Sequence, residues 1–120
     1  MISSEEALAR LKKSRFRSGF HLRKYMLDYI SKNGMDKIKE HTFDFIRNRL
    51  APAYIINDGR QTPMKGHPTF IAQHATATCC RGCLEKWYGI PKGRCLTDDE
   101  INYFVSLIME WIKEELGDLK

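Results

Sequence analysis

Apolar residues recur along this chain at helical spacing, and polar turn residues separate the runs. Ser3 with Glu6 three positions later has capping-box spacing, in which each side chain satisfies a backbone donor of the other. It predicts a first helix from about Ser4 to Lys13. Leu22, Met26, Tyr29 and Ile30 stand at i, i+4, i+7 and i+8, one face of a second helix ending near Asn33-Gly34, where glycine accepts left-handed backbone. Asp36 is placed to cap a third helix with the stripe Ile38, Thr42, Phe45, Ile46 and Leu50, and Pro52 stops it.

From Ala51 onward the periodicity lapses, and Pro52, Asn57-Asp58-Gly59, Pro63 and Gly66 mark successive turns. A connection this long inside a domain usually carries function, so it is expected to wrap over a site, with Ala53 to Ile56 as a short extended piece. Pro68 suits the first turn of a helix, on which Phe70, Ile71, His74 and Ala75 share a face, and a further helical stretch runs from about Thr78 to Tyr88. The last helix opens on the capping box Thr97-Asp98-Asp99-Glu100 and continues through Ile101, Phe104, Val105, Ile108 and Ile112. Leu107, Met109 and Trp111 fall outside that stripe, so this helix is either deeply buried or also packs on a second subunit as a homodimer. The expected fold is all-α: one compact domain over residues 1–120, with five to six helices and one long irregular loop at about 51–67.

Composition agrees with an ordinary globular protein: 42% of the 120 residues are hydrophobic and 29% charged, enough for one core and outside the disordered range. The polar, acidic start Met1 to Glu6 lacks the basic and apolar regions of a secretory signal. The stretch Tyr103 to Ile112, broken by Ser106 and Glu110, falls short of the roughly 20 apolar residues that span a bilayer. No membrane association and a cytoplasmic location are the expectation. The net charge of +5 is uneven: residues 97–120 hold 2 basic against 7 acidic side chains, while Arg10 to Lys24 holds seven basic side chains and no carboxylate. That run is either a solvated face or a polyanion footprint, for which Arg15, Arg17, Arg23 and Lys24 are the nucleic-acid candidates.

The chemistry concentrates between His67 and Gly93. Four cysteines lie within 17 residues (Cys79, Cys80, Cys83 and Cys95), and in a reducing compartment such clustering favours metal or redox chemistry over disulfides. Cys80-Arg81-Gly82-Cys83 has the C-x-x-C spacing that puts two thiolates on one zinc ion, with further ligands to come from His67, His74, Cys79 or Cys95. His74 and Cys83 are nine residues apart, about 900° on an unbroken helix, so they share an ion only if the helix breaks; Thr76 and Thr78 are the candidate breakers, Thr78 as cap of a helix starting at Cys79. Against this stands simple packing, since Cys80, Cys83, Leu84 and Trp87 have the spacing of a core stripe. A third reading is a thiol-dependent enzyme using Cys79 or Cys83 with His74. An iron–sulfur centre would need Cys95 to complete four thiolates. His21 and His41, among charged neighbours, are read as surface or half-buried side chains.

Leu84 to Gly93, a glycine-bounded turn around Ile90 with Lys86 and Lys92, is similar to the hairpin of a helix-hairpin-helix element, whose amides and lysines meet phosphates. Ending one helix and aiming the next would need the same residues.

Ser14-Arg15-Phe16-Arg17-Ser18-Gly19-Phe20-His21-Leu22, Arg49-Leu50-Ala51-Pro52-Ala53 and the long segment Gln61-Thr62-Pro63 through Gly93 resemble the bacterial family catalogued as domain of unknown function 4186. The resemblance extends from about Ser14 to Ile112 and implies a small stand-alone bacterial protein with His67 to Gly93 as its hallmark. Relatives carry histidine where this chain has Tyr88 and no cysteine where it has Cys95, which implies that neither is an essential ligand. His67, His74, Cys79, Cys80 and Cys83 remain as the candidate zinc ligands, holding a metal that ties the loop and the broken helix together.

Overall fold

A computed structural model describes residues 1–117, which form six helices and no strand. Helix α1 (Ser4–Lys12) starts as its capping box predicts, with the Glu6 amide donating to Ser3 Oγ at 3.1 Å. A single 3₁₀ turn, Arg17–Gly19, leads to α2 (Lys24–Asn33). Gly34, at φ 86, joins α2 directly to α3 (Met35–Phe45), so the corner needs glycine, and Asp36 sits in the first turn instead of capping it. The stripe of α3 continues into a wide π turn, Ile46–Leu50, closed by the Ala51 amide on the Ile46 carbonyl at 2.8 Å.

The irregular connection runs from Ala51 to His67 as expected, although Ala53 to Ile56 forms no strand. After it, α4 (Pro68–Ala75) departs from a one-faced helix: every residue from His67 to Arg81 is buried. Helices α2, α3 and α6 and the 3₁₀ turn all pack against α4, making it the axis of the molecule. Its polar side chains are paired within this interior. Thr69 Oγ1 lies 2.8 Å from Thr42 Oγ1, and Gln73 Nε2 donates to the Thr78 carbonyl at 3.0 Å.

Helix α5 (Arg81–Tyr88) begins three residues later than the sequence suggests, and α6 (Asp98–Gly117) is capped by Thr97 and Glu100 in reciprocal bonds of 3.1 and 2.8 Å. Leu107 and Met109 are buried within the chain, because α6 packs against α1, α3 and α4. That packing covers Leu107 and Met109, while Trp111 is half-buried. Among the described residues, no helix is long and apolar enough to cross a membrane.

Candidate metal centre

The chain between α4 and α5 is short and sharply bent. Thr76 ends α4, Ala77 takes the left-handed conformation at φ 57, and Cys80, extended at φ −159, becomes the N-cap of α5. The helix therefore breaks where the cysteine–histidine argument needs it to, but Cys80 and not Thr78 caps the new helix. Its Sγ accepts from the Cys83 amide at 3.4 Å. This cap places the Cys80 and Cys83 sulfurs 3.3 Å apart, and Cys79, one residue before the cap, puts its own Sγ 3.6 Å from that of Cys83. All three sulfurs lie within 4.8 Å of one another.

Three thiolates bonded to one zinc ion at about 2.3 Å stand about 3.8 Å apart, close to the two edges of 3.3 and 3.6 Å that Cys83 makes with Cys80 and Cys79. The two histidines are elsewhere. His74 Nε2 is 3.1 Å from the Pro63 carbonyl and its ring stacks on Phe20. His67 caps α4, its Nδ1 accepting from the Thr69 amide at 3.0 Å, while its Nε2 lies 3.1 Å from His41 Nδ1. Both rings are buried, His67 with both nitrogens engaged and His74 with its Nε2, and neither belongs to the sulfur group. Cys95 is exposed and also lies outside the group, so the fourth thiolate of an iron–sulfur centre is not supplied.

The residue that the sequence placed on the wrong surface is Arg17. The residue is buried, 9% exposed, and its guanidinium reaches inward from the 3₁₀ turn. Nη2 is 3.1 Å from Cys83 Sγ, Nη1 is 3.7 Å from Cys79 Sγ, and Nη1 donates to the His74 carbonyl at 2.7 Å. Among the described residues it forms no ion pair with a carboxylate. Burial works against its charge, yet the hydrogen bonds and charges of Cys79 and Cys83 raise its pKa overall. The thiols respond unequally. The Cys83 contact and then Arg17 hold the Cys79 thiol below its ordinary range, whereas the Cys79 contact and burial push Cys83 up. Burial also raises Cys80.

A second cation approaches from the other side of α5. Lys92 Nζ and Cys80 Sγ lie 3.6 and 3.8 Å from the position a Gly82 side chain would take, so ammonium and sulfur flank one glycine. Lys92 also pairs with Asp58 at 3.2 Å, and Asp58 Oδ1 accepts from the Arg81 amide at 2.9 Å. A cleft of about 380 Å³ opens here between Tyr54, Ile55, Asp58, Arg81 and Lys92. The hairpin resemblance fares less well at its turn. Gly89 is left-handed, and the Gly89 and Ile90 amides close the end of α5 on the Glu85 and Leu84 carbonyls, so neither is directed at a phosphate.

Residues 5–113 match the family described as Domain of unknown function (DUF4186). The chain belongs to this family. The match spans nearly all of the described chain, so in this DUF4186 member the sulfur triangle, Arg17 and the loop that covers them all fall inside the family region. No solved structure matches the chain.

Proposed function

We propose that this protein holds a thiophilic divalent ion, zinc by the character of its donors, on Cys79, Cys80 and Cys83. The observation that carries the reading is Arg17. A buried guanidinium keeps its charge and needs a compensating anion, and its counter-groups here are two sulfurs of a three-sulfur group. Neutral thiols cannot supply that charge. Three thiolates around a divalent ion carry one net negative charge, which one guanidinium balances, and its N–H···S contacts fit the role of outer-shell partners that orient ligands.

Three protein ligands leave a fourth position for water or another small ligand, the form of an open zinc site. The ion would fix the break between α4 and α5 and, through Arg17, anchor the N-terminal turn to it. A reactive-thiol reading is favoured by one observation, the depressed Cys79 pKa, but Cys79 is buried and therefore poorly placed for attack on a substrate.

Metal analysis of tag-free protein, prepared under reducing conditions, separates these readings. Stoichiometric zinc in the wild-type chain is expected, with loss in Cys80→Ser and Cys83→Ser and retention in Cys95→Ser. Cobalt substitution should give the intense thiolate charge-transfer absorption. A chain that takes up neither ion, and in which Cys79 is alkylated faster than its neighbours, would establish the thiol reading instead.

A further inference from the structure

Two long stretches of this chain contain no carboxylate, residues 7–27 and residues 59–84. The fold lays them side by side. Tyr25 Oη accepts from the Gly66 amide at 3.4 Å, Phe20 stacks on His74 at a centroid distance of 5.6 Å, and His74 in turn meets the Pro63 carbonyl. Phe16 completes the series edge-on to Phe20 at 5.2 Å. The result is one continuous surface built from the 3₁₀ turn, the start of α2 and the loop before α4.

Three large side chains stand out of it without a core to enter: Phe16 at 63% exposure, Tyr25 at 50% and Met64 at 58%. Between them are the exposed cations Arg15, Arg23, Lys24 and Lys65, none of which forms an ion pair among the described residues. Two carboxylates border it: Asp28, exposed one turn along α2 from Lys24 and outside any ion pair among the described residues, and Glu115, half-buried and already holding His21 and the Leu22 amide. Exposed aromatic rings cost free energy in water, and unpaired cations around them attract a polyanion.

We infer that this surface binds single-stranded nucleic acid, with Phe16 and Tyr25 as stacking platforms and the four cations along the phosphate backbone. Flat rings beside cations match a strand whose bases are unpaired, because every base offers a face to stack and the backbone supplies regularly spaced charge. A duplex hides those faces. A lipid surface would be met by aliphatic side chains, and Met64 is the one aliphatic member of the three. The surface includes Arg15, Arg23 and Lys24 of the basic run but not Arg17, which is buried against sulfur, nor Lys92, which faces Asp58. It does not rest on the metal reading, and metal content measured on the same samples reports on that separately.

The test is fluorescence anisotropy with labelled single strands of about 15 nucleotides, DNA and RNA, at about 50 and 200 mM salt. Binding should weaken steeply with salt. Phe16→Ala and Tyr25→Ala should each weaken it about tenfold at both salt concentrations without changing the slope. Arg15→Ala and Lys24→Ala should instead flatten the slope, by about 1.4 units when combined at about 0.7 per phosphate contact, while Lys113→Ala on the acidic last helix changes nothing. All five positions are exposed, and circular dichroism verifies that each variant folds. Absence of binding, equal affinity for duplex of the same sequence, indifference to Phe16→Ala, or adsorption to phosphatidylserine vesicles in place of oligonucleotide would each overturn the inference.

Discussion

A guanidinium cannot shed its proton in a protein, so a buried arginine states the charge of its surroundings more firmly than a buried thiol does. Arg17 meets two sulfurs with the two ends of its fork, at 3.7 and 3.1 Å, a planar two-pronged geometry that a lysine ammonium does not reproduce. Arg17→Met should lower zinc affinity by about 10- to 100-fold, the usual cost of losing an outer-shell partner, and Arg17→Lys should fall between. Competition against a chromophoric chelator measures this; affinities unchanged in both variants would remove the charge argument for the metal. His67 makes a different statement. Its Nδ1 accepts the Thr69 amide, so the neutral ring carries its hydrogen on Nε2 and directs it at His41 Nδ1. Burial, with the nearby His41, lowers its pKa from 6.5 to about 4. Because the folded ring resists a proton that the unfolded chain accepts, stability is complete above about pH 6.5 and declines as pH falls toward 4, by up to about 3 kcal/mol. Urea unfolding across that window checks the slope, which His67→Asn should flatten while keeping an acceptor near the Thr69 amide.

The break between α4 and α5 is the element on which the sulfur triangle depends, and it was only partly legible. The clustering of cysteines and the need for a break could be read from spacing, and the capping boxes located the starts of α1 and α6 because hydroxyl and carboxylate caps are common. Cysteine is not among the usual caps, so the start of α5 was placed at Thr78 and not at Arg81. Alanine carries no preference for left-handed backbone, so nothing in the sequence marks Ala77 as the pivot. Arg17 was hidden by distance: 62 and 66 residues separate it from Cys79 and Cys83, beyond any local pattern. The histidines had suitable spacing, but His67 is taken up by the cap of α4 and by His41, and His74 Nε2 by the Pro63 carbonyl. Ala77, buried with φ 57, gives a sharp test. Ala77→Val adds a branched side chain where the backbone disfavours it and no space is free, and should cost about 2–3 kcal/mol and displace the sulfurs. Ala77→Gly fits the same dihedral and should stay within about 1 kcal/mol of wild type with zinc binding intact. If both variants lose metal equally, backbone geometry is not what sets the triangle.

Across the whole molecule, the sulfur group is the junction of parts far apart in sequence: the N-terminal turn through Arg17, the end of α4 through the His74 carbonyl, the loop through Thr62, whose hydroxyl donates to the Cys79 carbonyl at 2.7 Å, and α5 through its own cap. Most of these links are polar; Leu84, fully buried beside Cys83, ties α5 to the core, and most of the other large buried apolar side chains belong to α3, α6 and the π turn. Metal binding should therefore act as a global staple and not as a local ornament. An ion present at about 100 times its dissociation constant stabilises the folded state by about 2.7 kcal/mol. For a chain of this size that corresponds to a melting temperature higher by about 10 °C. Chelation should lower the melting temperature by about that amount, and hydrogen exchange should quicken together in Arg17–Gly19 and in residues 76–83, because one charge balance holds both. Zinc should restore both segments, and Cys95→Ser should behave as wild type throughout. Were exchange to quicken only around the cysteines, with the N-terminal turn still protected, Arg17 would be held by the His74 carbonyl and packing alone, and the charge balance would not be the link between them.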